Sequence, residues 1–481
     1  MSSSSDTRFL EHAGQLFVDG QFLDPVGPTR ILVHEAATGA VLAEVAAAGP
    51  EEVDEAVKAA ARARPEWAAT PPNQRADHLD RIAEGIKDRA EEFAQSISRE
   101  VGTPIRHSRA IQVGNPLQII QSTTEALRCY VFEEEIGNCL VIKEPVGVVG
   151  AITPWNYPLQ QVVAKVAAAL AAGSTVVLKA SEVAPLTALM LAEVAAASGL
   201  PAGVLNVLVG EGSVAGEALV THPLVDKVSF TGSTRAGRRI SELAAAAVRP
   251  VTMELGGKSA SLVLADADVA TAAKFVVYNA FLNSGQMCTA LSRLLVPRSA
   301  QEQAVEIAVA TARKLSPGDP LDEGTRLGPL ASAAQLERVR GYIRRGQEEG
   351  ARLVLGGAEP PPGLERGYYV QPTIFADVKP HMSIAQEEIF GPVLAVMGYD
   401  SEAEAVDIAN GTPYGLAAAV WSADRDRAIA IGRQLRVGTV EVNGGAFSTS
   451  APFGGVKQSG HGREFGRYGL EEFLVTKSLQ L

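Results

Sequence analysis

The stretch Val146-Gly147-Val148-Val149-Gly150-Ala151-Ile152 is a short apolar run with the composition of a buried β-strand. From this run onward, strand-like segments alternate with helical segments as far as residue 255. The predicted strands are 146–152, 175–179, 204–209, 228–231 and 250–255, and the predicted helices are 159–172, 186–197, 213–220 and 235–246. This alternation predicts a doubly wound parallel sheet, in which ligands bind beyond the carboxyl ends of the strands.

A second α/β unit is predicted after residue 260. Its strand-like segments are 261–264, 294–296, 418–421 and 439–442, and helical segments such as 271–281 stand between them. Before the first sheet, apolar pieces up to residue 24 indicate edge strands. Two helices are predicted at 51–67 and 74–99, with Asn73 capping the second. The chain is therefore expected to be an α/β protein with two sheets.

Two strand-like regions fall outside these sheets. Tyr130-Val131-Phe132 and Leu140-Val141-Ile142 flank Gly137-Asn138, which is a pattern typical of a β-hairpin. Residues 473–476 form another strand-like run. Because exposed strand edges pair readily with another chain, these segments predict contacts between subunits.

Charge and cysteine content exclude several classes of protein. The chain has 43 basic and 55 acidic residues, a net charge of -12, which argues against nucleic acid as a partner. Three scattered cysteines cannot build a disulfide framework, and the histidines lack metal-binding spacing. Residues 1–6 are polar and typical of a frayed tail, and the apolar runs are too interrupted to span a membrane. The sequence predicts a cytoplasmic protein with no metal site and no membrane segment.

Cys288 and Glu254 are the strongest catalytic candidates. Cys288 follows a predicted turn at Gly285, and Glu254 ends a predicted strand just before Gly256-Gly257. A thiolate is a strong nucleophile, and a nearby carboxylate can act as base for the thiol or for water. The alternatives are a buried core cysteine and a structural acid paired with Lys258. For Cys288 the sequence alone leaves the two interpretations evenly balanced.

The motif Pro154-Trp155-Asn156-Tyr157-Pro158 follows the first strand of the alternation. Two prolines fix the backbone on either side of Asn156. A rigid side-chain amide of this kind can donate a hydrogen bond to a developing oxyanion. A turn with an aromatic staple is the weaker alternative.

Three loops have features of a dinucleotide site. Lys179 and Glu182 follow the second strand, where an acid can bind an adenosine ribose and repel the 2′-phosphate of NADP. Residues 230–237 link a strand to a helix, whose first N–H groups suit a pyrophosphate, although the spacing is not Gly-x-Gly-x-x-Gly. The third loop, Gly210-Glu211-Gly212, comes closer to that spacing. The alternatives are a solvated helix N-terminus at Glu182 and a plain turn at Gly210-Glu211-Gly212.

Taken together, these motifs resemble the NAD(P)-dependent aldehyde dehydrogenase family, from about residue 16 to residue 477. The most specific pieces are 154–158, 230–234, 253–259, 285–288, 387–392 and 452–460. The resemblance implies that Cys288 attacks an aldehyde, that Asn156 and the Cys288 N–H hold the oxyanion, and that hydride transfer leaves a thioester. Glu254 would then activate the water that releases a carboxylic acid. Lys165 and Glu464 match a proposed proton-relay pair, with a structural salt bridge as the equal alternative.

The resemblance also implies the cofactor contacts. Lys179 and Glu182 would bind the adenosine ribose, Ser233 the pyrophosphate and Glu388 the nicotinamide ribose, with Phe390 near the nicotinamide. NAD is favoured over NADP because of Glu182. Further contacts are implied for Ile152, Thr153, Pro154, Trp155, Ser181, Gly212, Phe230, Thr231, Gly232, Gly237 and Leu255.

A substrate tunnel is implied by the same resemblance. Its expected lining is Tyr157, Gln161, Ala164, Met287, Thr289, Phe447 and Phe453. Ala164 replaces a Trp that is common in relatives, which widens the expected tunnel, and Ser174 and Ala180 also depart from the family pattern. The Trp cage of betaine-aldehyde specialists and an Arg pair for acidic aldehydes are both missing. A medium-sized apolar or aromatic aldehyde is therefore expected.

The family similarity implies three parts in each chain. Residues 1–127 and 144–254 would form the dinucleotide-binding domain, and 255–453 the catalytic domain. Residues 128–143 and 468–481 would form a small β oligomerisation arm, while 454–467 return to the cofactor domain. A homodimer or homotetramer is implied.

Three rival functions follow from the same residues. An acylating enzyme would pass the thioester to coenzyme A, but such relatives usually lack an acid at the position of Glu254. A cofactor-free thiol hydrolase would need an imidazole base, and no histidine stands in these motifs. A non-catalytic scaffold would be expected to have lost Cys288, Glu254 or Asn156.

Overall fold

The computed structural model describes residues 8–481, so the predicted N-terminal tail at residues 1–6 lies outside the described part. The strands are β1 (Leu16–Val18), β2 (Gln21–Leu23), β3 (Arg30–His34), β4 (Val41–Ala46), β5 (Glu133–Ile136), β6 (Cys139–Pro145), β7 (Val148–Ile152), β8 (Thr175–Ala180), β9 (Leu205–Val209), β10 (Lys227–Thr231), β11 (Val251–Glu254), β12 (Ala260–Val263), β13 (Arg293–Pro297), β14 (Arg352–Leu355), β15 (Thr373–Ala376), β16 (Val393–Tyr399), β17 (Ala417–Trp421), β18 (Thr439–Val442), β19 (Gly460–His461) and β20 (Leu474–Gln480). The α-helices are α1 (Pro50–Ala69), α2 (Pro72–Asp88), α3 (Ala90–Val101), α4 (Ile105–His107), α5 (Gly114–Arg128), α6 (Pro158–Ala172), α7 (Leu186–Ala197), α8 (Glu217–Thr221), α9 (Thr234–Ala245), α10 (Val269–Phe281), α11 (Gln301–Ala312), α12 (Ala333–Glu348), α13 (Ser383–Gln386), α14 (Glu402–Asn410), α15 (Arg425–Gly432) and α16 (Gly466–Glu471).

The first sheet has eight strands in the order β19-β11-β10-β7-β8-β9-β1-β2. Its five central strands, β11 to β9 in that order, are parallel, and antiparallel strands close both edges. Strands β7 to β10 are buried along their whole length because helices cover both faces. The predicted Rossmann-type sheet is confirmed, and its parallel strands end at one common edge.

The second sheet has seven strands in the order β14-β15-β16-β13-β12-β17-β18. It contains the four segments predicted after residue 260 and three strands that the sequence analysis did not single out: β14, β15 and β16. These three lie between Gly- and Pro-containing loops or beside a short helix, so the strand–helix alternation does not mark them. The predicted second α/β unit is confirmed, with more strands than expected.

The predicted hairpin and C-terminal strand form a separate three-stranded sheet in the order β20-β6-β5. One strand boundary was wrong, because Tyr130-Val131-Phe132 is not a strand and β5 begins at Glu133. The rings of Tyr130 and Phe132 are 4.8 Å apart and pack against the core, so these residues turn inward instead of extending the ladder. The strand is formed instead by Glu133–Ile136, which pairs with β6 and begins with three exposed glutamates.

Three helix predictions also needed correction. The predicted helix 74–99 is two helices, α2 and α3, which break at Arg89 with φ -108° and ψ 19°. The break places the Arg89 guanidinium 2.6 Å from Glu193 on α7 and 2.8 Å from Glu92. Asn73 is not the cap, because Pro71 precedes the first turn and Pro72 presets its φ. The predicted helix 213–220 is a π-helical turn, Gly212–Gly216, followed by α8.

A π-helical segment, Ser108–Val113, joins α4 to α5. It lies in one continuous helical stretch from Ile105 to Arg128 and carries Gln112 into the interior, where that side chain is 1% exposed. Among residues 8–481, no helix is long and apolar enough to cross a membrane. The same residues contain no group of three or more His, Cys, Asp and Glu side chains arranged to hold a metal ion.

Candidate active site

An open cleft lies at the carboxyl edge of the first sheet. It is lined by Pro154, Trp155, Asn156, Gln161, Thr231, Gly232, Ser233, Leu255, Gly256, Cys288, Gln335, Arg338, Glu388 and Phe390. All of these except Gly256, Gln335 and Arg338 are site residues predicted from the sequence. The structure therefore brings the predicted nucleophile, the predicted oxyanion donor and the segment 388–390 to one cavity.

Cys288 stands at the wall of this cleft after a left-handed turn. Asn283, Ser284 and Gly285 all have positive φ angles, of 50°, 56° and 72°. A Cβ at Gly285 would lie 2.2 Å from the carbonyl oxygen of Gly391, so the turn needs glycine where it contacts that neighbouring loop. Burial raises the pKa of the Cys288 thiol, and the negative charges of Glu388 and Glu254 raise it further. The thiol is thus protonated at rest and needs a base to become a nucleophile.

Glu254 occupies the end of β11 and is 3% exposed. Neither carboxylate oxygen has a hydrogen-bond partner among the described residues. Burial raises the pKa of Glu254 well above its ordinary value, with a further contribution from the charge of Glu464. The alternative of a structural ion pair with Lys258 is contradicted, because the described residues contain no such pair. A buried, unpaired carboxyl that influences the pKa of Cys288 is typical of a catalytic acid or base.

Asn156 is held rigidly in the cleft wall at 3% exposure. Its side-chain Nδ2 donates to the backbone oxygen of Gln286, 3.0 Å away and two residues before Cys288. An amide nitrogen carries two N–H groups, so the second remains available to a ligand. The loop of Asn156 and the loop of Cys288 are therefore linked directly.

Lys165 and Glu464 form a buried ion pair, as the sequence analysis expected of either a relay or a structural salt bridge. The Lys165 Nζ also donates to the Thr231 hydroxyl at 2.6 Å, which links the pair to the end of β10. Because Lys165 lowers and Glu464 raises the pKa of Glu254, the pair acts electrostatically on the candidate base.

The ends of β8 and β9 meet through Lys179, outside the lining of the cleft. Its Nζ lies 3.1 Å from Oε2 of Glu182 and donates to the Gly210 oxygen at 2.9 Å. The Glu182 side chain is 40% exposed. Ser181 accepts a hydrogen bond from the Val183 N–H at 3.2 Å. These groups form a polar edge with a solvent-facing carboxylate, and Gly212 lies exposed just after β9.

The loop between β10 and α9 lies at the same carboxyl edge of the sheet, where β7 separates β10 from β8. Ser233 caps α9, with its hydroxyl oxygen accepting from the Ala236 N–H at 3.3 Å. The Gly232 N–H donates to the Glu254 backbone oxygen at 3.0 Å, which joins the loop to β11. The remaining predicted cofactor contacts, Ile152, Thr153, Phe230 and Gly237, are buried around these strand ends and do not line the cleft.

The segment from Glu388 to Phe390 closes the opposite side of the cleft. Glu388 accepts a hydrogen bond from the Gly257 N–H at 3.1 Å, and burial raises the pKa of its carboxyl to about 7. A Cβ at Gly256 would lie 2.2 Å from Glu388 Oε2, so the carboxylate approaches bare backbone there. Phe390 has a φ of 64° and its ring stands edge-on to Trp155 at 5.5 Å.

Gln335 and Arg338 on α12 hold this segment, and the sequence analysis missed both. Gln335 donates to the Phe390 oxygen at 2.6 Å, and Arg338 donates to the Ile389 oxygen at 3.3 Å. Their spacing of three residues places both on one face of a helix. That spacing is the only sequence signal, and it does not say what the face contacts.

Of the predicted substrate residues, some lie at the cleft, two line a second cavity, and two line neither. Tyr157, buried, donates weakly to the Met287 sulfur at 3.6 Å, and Gln161 lines the cleft. Phe447 and Phe453 line a second, open cavity, with ring centroids 6.1 Å apart. Both also pack against Phe465, which the sequence analysis did not name. Thr289 is half-buried and Ala164 buried, and neither lines these two cavities.

The sequence model of the aldehyde dehydrogenase family matches residues 22–479. The chain belongs to this family. The aldehyde dehydrogenase is 46% identical over 471 residues to a 3-succinoylsemialdehyde-pyridine dehydrogenase from a Pseudomonas species, an alignment that covers 97% of this chain and 98% of the relative.

Solved structures of relatives have the same fold as this aldehyde dehydrogenase. An aldehyde dehydrogenase C variant from Pseudomonas syringae, in complex with NAD+ and octanal, is 44% identical with a TM-score of 0.97, covering 98% of this chain and 97% of that one. A P. syringae indole-3-acetaldehyde dehydrogenase variant in complex with NAD+ and IAA is 39% identical with a TM-score of 0.94, covering 97% of each chain. The predicted family and fold are therefore confirmed.

Proposed function

We propose that this aldehyde dehydrogenase uses NAD to oxidise a medium-sized apolar or aromatic aldehyde to a carboxylic acid, through a thioester on Cys288. The observation that carries the proposal is the shared cleft: the Cys288 thiol and the Asn156 amide face one cavity at the edge of a Rossmann-type sheet. The unpaired carboxyl of Glu254 is buried at the end of β11, next in sequence to Leu255 and Gly256, which line that cavity.

The residues of the cleft fit a dinucleotide. The cleft opens at the carboxyl ends of parallel strands, where such sheets bind nucleotides. Ser233 begins a helix of 12 residues, a suitable place for a pyrophosphate. Glu182 and Lys179 would hold the adenosine ribose, and Glu388 the nicotinamide ribose. When bound, NAD+ accepts the hydride that the substrate carbon loses and becomes NADH. The relatives solved with NAD+ support this choice.

Acylation begins when the Cys288 thiol loses its proton to solvent, a step that the carboxylate form of Glu254 would assist. The sulfur adds to the aldehyde carbon, a C–S bond forms, and the carbonyl π electrons move to oxygen. The Asn156 side-chain amide and the Cys288 N–H would donate to that oxyanion, and the loss of one such donor costs about 3–4 kcal/mol. When the C–H bond breaks with loss of hydride, the C=O bond re-forms and the carbon is left as a thioester.

Deacylation needs water and a base. Lys165 and Glu464 would carry protons between Glu254 and solvent, so that Glu254 is a carboxylate when water attacks. Glu254 would then take a proton from water while the hydroxide oxygen adds to the thioester carbon and the carbonyl π electrons move to oxygen. As the C=O bond re-forms, the C–S bond breaks, the carboxylic acid leaves, and the Cys288 thiolate takes up the proton held by Glu254. An acid at position 254 supports hydrolysis over transfer to coenzyme A.

The expected substrate class rests on the aromatic side chains around the second cavity. Phe447 and Phe453 give it an apolar wall. Tyr157 and Met287, whose hydroxyl and sulfur lie 3.6 Å apart, would add apolar surface beside Cys288. The relative in complex with octanal supports a medium-chain substrate. The deciding experiment is NADH formation, followed by absorbance, with octanal, 3-phenylpropanal, betaine aldehyde and succinic semialdehyde. Octanal and 3-phenylpropanal should have the highest kcat/KM, and a preference for either charged aldehyde would contradict this substrate class.

Glu182→Gln should relax the preference for NAD over NADP. The substitution removes the negative charge that would repel a 2′-phosphate and frees Lys179 from its 3.1 Å partner. We expect the ratio of kcat/KM for NADP to that for NAD to rise about tenfold, equivalent to about 1.4 kcal/mol. Steady-state kinetics with both cofactors measure it.

The matched control is Glu193→Gln, which removes an acid on α7 that is paired with Arg89. It should leave the cofactor preference unchanged. An unaltered preference in the Glu182→Gln enzyme would remove Glu182 from the proposed ribose site.

The β20-β6-β5 sheet is proposed as an oligomerisation arm, in the three-part organisation that the sequence analysis set out. Val475 and Leu479 on β20 are 44% and 42% exposed, and Ile136 on β5 is 56% exposed. Exposed apolar side chains on edge strands are typical of subunit contacts.

Replacing Val475 and Leu479 together with glutamate should shift the apparent mass toward the 50.4 kDa of one chain. The charges would have to be buried in any contact that covers β20. Light scattering on a sizing column measures the mass, and Lys477→Glu, on the same strand, tests charge alone. A double variant with the wild-type mass would mean that β20 lies outside the subunit interface.

A further inference from the structure

We propose that Gln112 is a positioning residue for this reaction: its side-chain amide fixes the backbone of Asn156, and so aligns the oxyanion donor with the turn that carries Cys288. The inference rests on the roles proposed above for Asn156 and Cys288. It assigns a function to the helical stretch 105–128, which contributes no residue, Gln112 included, to the lining of the cleft.

The first support is a closed set of buried hydrogen bonds. Gln112 Nε2 donates to the Asn156 backbone oxygen at 3.0 Å and to the Thr103 hydroxyl oxygen at 3.2 Å. The Thr103 hydroxyl donates to Asn283 Oδ1 at 2.6 Å, and Asn283 Nδ2 donates to the same Asn156 oxygen at 2.9 Å. Two amide groups from distant segments therefore occupy both lone pairs of one carbonyl oxygen.

The second support is where this set connects. The side chain of Asn156 donates to the Gln286 oxygen at 3.0 Å, and Asn283 opens the left-handed turn before Cys288. A shift of the Asn156 backbone would thus move the oxyanion donor, and a shift of Asn283 would move the thiol. A misplacement of about 1 Å in such a group can cost roughly 100-fold in rate.

The third support is the backbone that delivers Gln112. It lies within the π-helical segment Ser108–Val113, and each residue added to a helix rotates the following side chains by about 100°. Segments of this kind inside α-helices occur often at functional sites. Gln112 is 1% exposed, yet its Oε1 has no partner among the described residues. Only the donor of this side chain is used, so its amide N–H groups are the feature that the site needs.

The test compares side chains of similar shape that differ in their ability to donate. Gln112→Met has no donor, and Gln112→Leu serves if the first variant does not fold. Gln112→Glu can donate to Asn156 only when its carboxyl is protonated, and burial raises the pKa of a carboxyl. Gln121→Met, an exposed residue on α5 that bonds Glu125, is the matched control on the same helix.

We expect Gln112→Met to lower kcat for octanal roughly 100-fold, with the KM for NAD and the melting temperature near wild type. The kcat of Gln112→Glu, divided by that of the wild type at each pH, should rise as the pH falls from about 9 to about 6. At about pH 6, the kcat ratio of Gln112→Glu to wild type should exceed the kcat ratio of Gln112→Met to wild type by at least about tenfold. Gln121→Met should match the wild type throughout.

Two results would overturn the inference. One is a folded Gln112→Met enzyme with kcat within about twofold of the wild type. The other is a Gln112→Glu enzyme whose ratio never exceeds that of Gln112→Met, because a structural role would not respond to protonation of the glutamate. Failure of the proposed function would look different: wild-type enzyme would give no NADH and no acylated Cys288 with any aldehyde.

Discussion

Replacing Cys288 with alanine should lower NADH formation by at least about 10⁴-fold while NAD binding stays near the wild-type value. The substitution removes the one sulfur found in the lining of the cleft among residues 8–481, and leaves the residues proposed for the cofactor untouched. Without a nucleophile, no tetrahedral adduct forms, and the aldehyde hydrogen has no reason to leave as hydride. Turnover is measured by NADH absorbance with octanal, and binding by quenching of tryptophan fluorescence.

Cys129→Ala is the matched control for that experiment. Cys129 is also a free cysteine, but it is exposed at the end of α5. The control should retain wild-type turnover. If the Cys288→Ala enzyme retained turnover instead, the nucleophile assignment would be wrong. If it lost NAD binding as well, the substitution would have disturbed the cleft rather than the chemistry alone.

Glu254→Gln should stop the reaction at the thioester. The amide cannot take a proton from water, and loss of a general base typically costs about 10²–10⁴-fold. A rapid burst of about one NADH per active site should precede a slow steady state, because solvent can still take the Cys288 proton while the base for water is lost. Intact-protein mass spectrometry should then find the acyl group on Cys288. Glu100→Gln, which changes another buried glutamate, on α3 and outside the lining of the cleft, is the matched control and should show no burst.

If Glu254 is the base, the rate of deacylation should depend on pH in a defined direction. Because burial and Glu464 raise the pKa of Glu254, its carboxyl keeps its proton to higher pH than an exposed glutamate does. Only the carboxylate form can accept a proton from water, so deacylation by the wild type should accelerate as the pH rises through that elevated pKa. The Glu254→Gln enzyme should lose this acceleration. Full steady-state activity in that enzyme would rule out Glu254 as the base.

The sequence predicts strand ends well because one physical rule governs them. In a parallel sheet all strands end at the same edge, so Thr231 and Glu254, on strands separated in sequence, are brought to one place. The apolar runs of β7 to β10 were long enough to predict that sheet. The grouping of Asn156 with Cys288 came from the family resemblance, since the hydrogen bond that links their loops joins Asn156 to Gln286, 130 positions away.

Residues on distant helices could not be predicted in the same way. Gln112, Gln335 and Arg338 reach the site only because α12 and the π-helical segment pack beside it, and no local pattern encodes that packing. Local preference also misled at Tyr130-Val131-Phe132, where aromatic and β-branched residues favour a strand but the rings are needed in the core. Conversely, pairing with β6 made a strand of Glu133, Glu134 and Glu135.

The contact between Gly285 and Gly391 limits how this enzyme can be redesigned. A shift of the Gly391 backbone by a few tenths of an ångström toward the turn would meet residue 285 directly, because no side chain separates them. Efforts to remodel the 388–391 loop for a synthetic nicotinamide mimic would thus alter nucleophile geometry as an unintended effect. In this fold, a change in cofactor recognition at the 388–391 loop therefore also changes the position of the Cys288 thiol.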